Sequence, residues 1–167
     1  KVAKDAAIID IGGGDSYLID SLLDLGYTNL YLLDISEAAI QRAKNRLGDK
    51  AKQVTFINSD SLNFRSDVKF DIWHDRASFH FFTEANDIEQ YKSNVIENTN
   101  QNANLIIGTF SEDGPLKCSG LPITQYSVEK MEALFGDDFE LENCFTEDHE
   151  TPFDTIQNFI FCHYKKI

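Results

Sequence analysis

The sequence predicts an α/β domain built on a mostly parallel β-sheet. Two observations carry that expectation. The stretch Ile8–Asp34 reads as a buried strand, a glycine turn, a helix and a second buried strand ending in a carboxylate. Beyond it, apolar runs of strand length alternate with segments of helical apolar spacing as far as Phe135, and the tail closes on two consecutive strands.

The apolar run Ala6–Ile11 is short and bounded by glycines, as a parallel strand covered on both faces should be. Gly12, Gly13 and Gly14 remove three side chains where the backbone must turn sharply and approach a ligand closely. The helix that follows, expected over about Ser16–Leu25, carries Leu18, Ile19, Leu22 and Leu23 as one apolar stripe, with Gly26 at its C-terminal cap. Its free N–H groups point back at the turn, so the site favours polar or anionic ligand groups. The second strand, Leu30–Asp34, ends in an acid placed to accept hydrogen bonds from ribose hydroxyls. Ser36 is a good N-cap, Glu37 suits the first turn, Ile40, Ala43 and Leu47 follow at helical spacing, and Gly48 stops the helix.

The third strand is Val54–Asn58, which delivers Ser59, Asp60 and Ser61 to the same sheet edge as the glycine turn and Asp34. A fourth strand covers Phe70–His74. Thr83 is the expected cap of a third helix whose Ile88, Tyr91 and Val95 face inward. Leu105–Phe110 forms a fifth strand, and Ser111–Gln125 a loop. Tyr126 and Met131 flank the cap Ser127 as a hydrophobic staple for a fourth helix ending near Phe135. The tail reads as strands Phe139–Phe145 and Thr155–Tyr164 joined by an acidic loop, antiparallel at one sheet edge.

The 167 residues are enough for one domain with a proper core, and the expectation is a single domain over 1–167. A formal net charge of −13 repels phosphate backbones, so a nucleic acid substrate is disfavoured. The basic cluster Arg42–Lys52 reads as a solvated helix face. Cys118, Cys144 and Cys162 are odd in number and far apart, so neither a zinc site nor a disulfide framework is indicated, and a reducing, cytoplasmic setting is expected. No run has the length of a membrane span. His149 stands among Glu147, Asp148 and Glu150, but consecutive side chains diverge and no second histidine is near, so no metal is expected. The chain begins at Lys1 and reaches its first strand almost at once, so an N-terminal segment is expected to be missing.

Two families share the strand–glycine–helix–strand–acid layout. The dinucleotide fingerprint needs a third glycine or alanine where Tyr17 stands, too large for close helix–strand packing. The segment Asp10-Ile11-Gly12-Gly13-Gly14 instead resembles motif I, Asp-x-Gly-x-Gly, of class I S-adenosylmethionine-dependent methyltransferases. The resemblance continues in element order over roughly residues 6–164. Trp73–Phe81 and Lys117–Pro122 further resemble a subgroup of small, mostly bacterial members whose methyl acceptor is mostly unassigned. The resemblance implies a Rossmann-like three-layer sandwich with a seven-stranded, mostly parallel sheet and an antiparallel last strand. In that family the segment before the first strand helps cover the cofactor.

The resemblance also implies roles. The Gly12–Gly14 turn lies against the amino-acid part of S-adenosylmethionine, and Asp10 orients that turn, directly or through water to the ligand's ammonium. Asp34 holds the ribose hydroxyls and Ile35 packs on the adenine. Asp60 bonds the adenine amino group, with Ser61 and Leu62 nearby. Asp75, Arg76 and His80 stand just past the fourth strand, where this fold receives the acceptor; Asp75 is a candidate for catalysis and cofactor contact, Arg76 for substrate contact, and His80 for both catalysis and substrate contact. Each has a plainer reading: Asp10 as a backbone cap, Asp60 as a turn former, Asp75 and Arg76 as an ion pair, His80 as a packed residue, and Lys117–Pro122 as an ordered connection rather than an acceptor-side lid. The expected function is methyl transfer to a small molecule or protein side chain, with oligomeric state open. The alternatives are a nicotinamide-dependent oxidoreductase, which lacks a recognisable hydride-transfer constellation here, and a non-catalytic module that keeps the cofactor fold.

Overall fold

In the computed structural model, which describes residues 2–151 and 156–167, the glycine turn lies at the centre of one large sheet. The strands are β1 (Ile8–Ile11), β2 (Leu30–Asp34), β3 (Val54–Asn58), β4 (Phe70–Arg76), β5 (Thr99–Phe110), the short pair β6 (Lys117–Cys118) and β7 (Leu121–Pro122), then β8 (Phe139–Glu150) and β9 (Ile156–Lys166). The helices are α1 (Leu18–Asp24), α2 (Glu37–Leu47), α3 (Ala85–Asn98) and α4 (Val128–Phe135). The large sheet has seven strands in the order β3-β2-β1-β4-β5-β9-β8. Neighbours from β3 to β5 run parallel, and β9 runs antiparallel to both β5 and β8. This is the three-layer α/β architecture the sequence resemblance implied.

Alternation along the strands sorts the core into two halves. Ile8, Leu30 and Leu32 pack against Ile19, Ile40, Ala43 and Leu47 of α1 and α2. Their odd-numbered neighbours Ile9 and Ile11, with Trp73, Leu105 and Ile107, pack on the other face against Tyr91 and Val95 of α3 and Met131 and Phe135 of α4. The aromatic content goes largely here: Phe79 lies 5.0 Å from Tyr126 and 4.9 Å from Tyr91, ring centroid to centroid.

Local signals set most element ends. Ser36 caps α2 by accepting from the Ala39 N–H at 3.2 Å, and Gly48, at φ +56°, ends it. Ser127 likewise receives the Lys130 N–H. Three expectations are corrected. Thr83 is not the α3 cap: the cap position is Glu84, which makes no side-chain cap bond. The predicted loop 111–125 contains the β6–β7 hairpin, turned through Ser119 and Gly120 at φ +51° and +81°. The expected acidic loop is largely strand, since Glu147, Asp148 and His149 pair with Phe159, Asn158 and Gln157. Residues 152–154 of that connection and Thr155, the expected first residue of the last strand, lie outside the described residues.

The cysteine expectation is corrected as well. Cys144 and Cys162 are direct register partners across β8 and β9 and form a disulfide. Their spacing in sequence gave no sign of it, because strand pairing, not separation, brings them together. Cys118 is free. The basic face of α2 pairs with the acids opposite it, Arg42 with Asp15 at 2.7 Å and Arg46 with Asp20 at 2.9 Å. Among the described residues, no helix is long and apolar enough to cross a membrane.

Candidate active site

The chain leaves β1 toward β2 and β3 on one side, then crosses back to β4 on the other. Between β1 and β4 the connections diverge, and a crevice opens beyond the carboxyl ends of the strands, the usual ligand position in such sheets. Gly12 turns the chain there at φ +66°, a conformation that favours glycine, and its N–H donates to the Leu33 carbonyl at 2.8 Å. Gly13 and Gly14 serve by lacking bulk. A Cβ on Gly13 would lie 2.7 Å from Asp10 Cγ, and one on Gly14 would lie 2.5 Å from Ala39 Cβ and 2.7 Å from Asp34 Oδ2. Asp34 binds this turn to its own loop: Oδ2 accepts from the Gly14 N–H at 3.0 Å and Oδ1 from the Ser36 N–H at 2.8 Å.

Two cavities meet at this point. The first, of about 540 Å³, has walls including Ile11, Ile35, Asp60, Ser61, Phe82 and Leu121. The second, of about 670 Å³, has walls including Asp10, Asp15, His74, Arg76, His149 and Phe159. Gly12 and Asp34 line both. The first is mainly apolar, with a few polar groups at its rim, and suits a flat heterocycle. The second gathers three carboxylates and suits a cationic group. Asp60 carries its turn role and keeps an oxygen in reserve, since Oδ1 alone accepts the Leu62 N–H at 2.9 Å. The β6–β7 hairpin puts Leu121 and Pro122 on the wall of the first cavity, beside Ile35.

Several expected site residues stand elsewhere. Gly13 and Gly14 are behind the wall rather than in it. Leu62 packs into the core, its carbonyl accepting from Asn94 Nδ2 at 2.6 Å, and does not line the cavity. Asp75 is fully buried and lines neither cavity. Its Oδ1 accepts from the Ser78 and Phe79 N–H groups at 3.0 and 3.2 Å, and Oδ2 accepts from the Tyr91 hydroxyl at 2.5 Å. Burial raises this carboxyl to about 6 despite those donors. Asp75 therefore anchors the turn after β4 and has no route to a ligand. The alternative ion pair with Arg76 is also absent, since Arg76 points to the other face and lines the second cavity.

His80 is buried against Phe110, ring centroids 4.4 Å apart and nearly parallel, and neither ring nitrogen has a hydrogen-bond partner among the described residues. It does not touch the crevice. Burial lowers its imidazole to about 4. The unfolded ring titrates near 6.5, so between those values the unfolded chain binds the extra proton. His80's contribution is complete above pH 6.5 and is lost as pH falls toward 4, by about 3 kcal/mol. His80→Phe removes that loss: the stability difference between variant and wild type, measured by urea unfolding, should grow by about that amount from pH 7 to pH 4.

The residue the sequence reading passed over is His74. Its Nδ1 lies 2.7 Å from Asp10 Oδ1, across the register pair Asp10–His74 that joins β1 to β4. Strand parity would have found it. Because β4 runs on to Arg76, His74 and Arg76 share the crevice side, while Trp73 and Asp75 face α3. Ending the strand at His74 concealed that alternation. Asp10 itself is buried, and among the described residues its side chain caps no backbone N–H.

A family model described as "Methyltransferase domain" matches residues 3–159. Over 80 residues, or 47% of the chain, the sequence is 32% identical to the zebrafish (Danio rerio) protein named EEF1A lysine methyltransferase 2. Over 72 residues, 42% of the chain, it is 31% identical to the mouse (Mus musculus) eEF1A lysine and N-terminal methyltransferase. The matches span 34% and 10% of those relatives' lengths. Among solved structures, an S-adenosylmethionine-dependent methyltransferase from Methanosarcina mazei superposes with a TM-score of 0.82 at 15% identity, covering 99% of this chain and 94% of that one. The 1,6-didemethyltoxoflavin N1-methyltransferase of Burkholderia thailandensis, solved with bound 1,6-didemethyltoxoflavin and S-adenosylhomocysteine, gives 0.75 at 15% identity, covering 97% of this chain and 71% of that one. At such identities the structures speak for the fold, and the family match speaks for kinship: the chain belongs to the methyltransferase-domain family.

Proposed function

We propose that the chain transfers a methyl group from S-adenosylmethionine to a small molecule or a protein side chain. The observation that supports this most is the pair of cavities meeting over Gly12 and Asp34. The residues present fit the donor. Ile35, 72% exposed at the rim of the apolar cavity, offers a face for the adenine, with Asp60 and Ser61 as polar partners. Asp34, between the cavities, has lone pairs left for the ribose hydroxyls. Asp10 and Asp15 give the second cavity the negative charge that suits the amino-acid end and the sulfonium. When bound, S-adenosylmethionine supplies a methyl group already activated on a cationic sulfur. The chain's residues have mainly to orient the two reactants and exclude water, for which the Leu121–Pro122 edge of the hairpin is well placed.

An acidic surface whose basic helix face is already paired with carboxylates favours an acceptor other than nucleic acid. The relatives named for lysine methylation favour a nitrogen acceptor, and we read the chain as cytoplasmic, where the Cys144–Cys162 pair would be reduced. Tyr17, the residue set against the nicotinamide alternative, is 68% exposed, with the Arg46 guanidinium 4.6 Å over its ring, so it packs against no strand. The choice of cofactor is therefore decided by calorimetry. S-adenosylhomocysteine should bind the purified chain, and NAD should give no heat. Binding of NAD alone overturns this reading. Binding of S-adenosylhomocysteine without turnover on any acceptor favours the non-catalytic module.

A further inference from the structure

We infer that His74 takes the proton from the methyl acceptor, held for that task by Asp10, and that the acceptor is therefore a protic amine. This rests on the methyltransferase reading above. The hydrogen-bonding capacity of the pair fixes its tautomer. An ionised carboxylate only accepts, so the contact between His74 Nδ1 and Asp10 Oδ1 at 2.7 Å requires the hydrogen on Nδ1. That leaves Nε2 as a bare lone pair. Asp10 is 1% exposed, and its Oδ2 has no partner among the described residues, so its side chain is committed to this imidazole. Nε2 bonds to none of the described residues, and the side chain keeps 18% of its surface open on the wall of the second cavity. A carboxylate fixing one ring nitrogen while the other faces a ligand cavity is the arrangement of an oriented general base.

The position supports the role. Asp10 and His74 are register partners at the crevice between β1 and β4, one strand step from the turn that cradles the donor. The other charged or titratable groups on that cavity are Asp15 and Tyr17 from the loop after β1, Asp34 at the end of β2, Arg76 further along β4, and His149 from β8; the β5 neighbour of His74 is the neutral Ile106. With Asp10 these make three carboxylates against Arg76 and the Arg42 that already pairs with Asp15 at 2.7 Å, so the balance stays negative and a protonated amine is drawn in while a carboxylate acceptor is not. Sulfur or oxygen anions need no base, whereas an ammonium must lose a proton before its nitrogen has a lone pair. In the step, that proton passes to His74 Nε2. The nitrogen pair then forms the N–CH3 bond as the S–CH3 bond breaks, its electron pair leaving on sulfur to give neutral S-adenosylhomocysteine. Asp10 holds the resulting imidazolium at hydrogen-bond distance.

Two measurements test this. The first needs no acceptor: in 15N spectra of the histidine rings, the signal lost in His74→Gln should belong to an Nδ1–H tautomer in the wild type, and an Nε2–H tautomer overturns the proposal. The second measures transfer from labelled S-adenosylmethionine to a lysine peptide and to simple alkylamines. His74→Gln should lower turnover at pH 7 by on the order of 100-fold or more, leave S-adenosylhomocysteine affinity within about twofold, and abolish the inflection in the pH–rate profile that belongs to an imidazole base. Wild-type turnover or an unchanged pH profile in His74→Gln overturns the assignment. A wild type that binds S-adenosylhomocysteine yet methylates no amine of the panel overturns the acceptor class. Failure of the wild type to bind S-adenosylhomocysteine at all sinks the donor reading instead, which keeps the two failures distinct.

Discussion

Asp34→Ala should weaken S-adenosylhomocysteine binding by on the order of 100-fold or more, the largest loss expected for any single wall residue. Hydrogen bonds to a charged acceptor contribute roughly 1.5–3 kcal/mol each, and the two ribose hydroxyls supply two of them. At about 1.4 kcal/mol per tenfold, losing both gives that factor. The carboxylate has a second duty that adds to the effect. It holds the Gly14 and Ser36 N–H groups, and so fixes the glycine turn against the loop after β2. Helix α2 keeps its own cap, because the Ser36 hydroxyl is unaffected, so the variant should remain folded, with the loss of stability that two partly buried N–H groups without their acceptor bring. Asp34→Asn should fall between, since one amide hydrogen must face a backbone N–H donor. Calorimetry on the three proteins decides the point. Undiminished affinity in Asp34→Ala would mean that the ribose does not lie between the two cavities.

Asp75→Ala should lower the unfolding free energy at neutral pH by about 3 kcal/mol without touching a ligand. Alanine leaves the Ser78 and Phe79 N–H groups without Oδ1 and the Tyr91 hydroxyl without Oδ2, and an orphaned buried donor costs about 1–3 kcal/mol. The turn it stabilises includes Ala77 at φ +64°, a conformation a non-glycine residue adopts only under constraint. Part of the loss is offset, because the buried charge itself is removed. Asp75→Asn separates the two effects. Its oxygen still accepts both backbone N–H groups and no charge is buried, while its Nδ2 cannot accept from the Tyr91 hydroxyl, so at pH 7 it should lose less stability than Asp75→Ala. In acid its deficit against the wild type grows. The folded carboxyl titrates at about 6 and the unfolded one near 3.8, so the folded chain binds the extra proton between them. Wild-type stability from this group is therefore gained as pH falls through 6 and complete below 3.8, about 3 kcal/mol that Asp75→Asn lacks. Asp75 and His80 pull in opposite directions over the same window. The wild type should show little net slope from the two, while each single variant uncovers the other's. Chemical unfolding from pH 7 to pH 4 would show equal slopes in all three proteins if the burial argument were wrong.

Local rules were enough for part of the molecule. Strands β2 and β3 begin and end where their apolar runs do. Ser36, Gly48 and Ser127 bound their helices through hydrogen bonds that reach no more than four residues. The glycine turn and the acid closing β2 were legible because a sharp turn and a ribose acceptor each demand particular residue types at fixed spacing. The wall residues Asp10, Gly12, Asp34, Ile35, Asp60 and Ser61 all follow from that stretch and from the ends of the adjacent strands.

Tertiary structure decided what depends on which face a residue takes and on what pairs across the sheet. Asp75 and His80 looked like site residues because they follow β4. One more turn of strand alternation puts Asp75 under α3, and packing against Phe110 takes His80 into the core. The same alternation turns His74 and Arg76 into the crevice. Cys144 met Cys162, and Asp10 met His74 across 64 residues, only through strand register. Local sequence fixes caps and turns because their partners are a few residues away. It leaves cross-sheet partners open, since a shift of one residue in register sends every side chain to the opposite face.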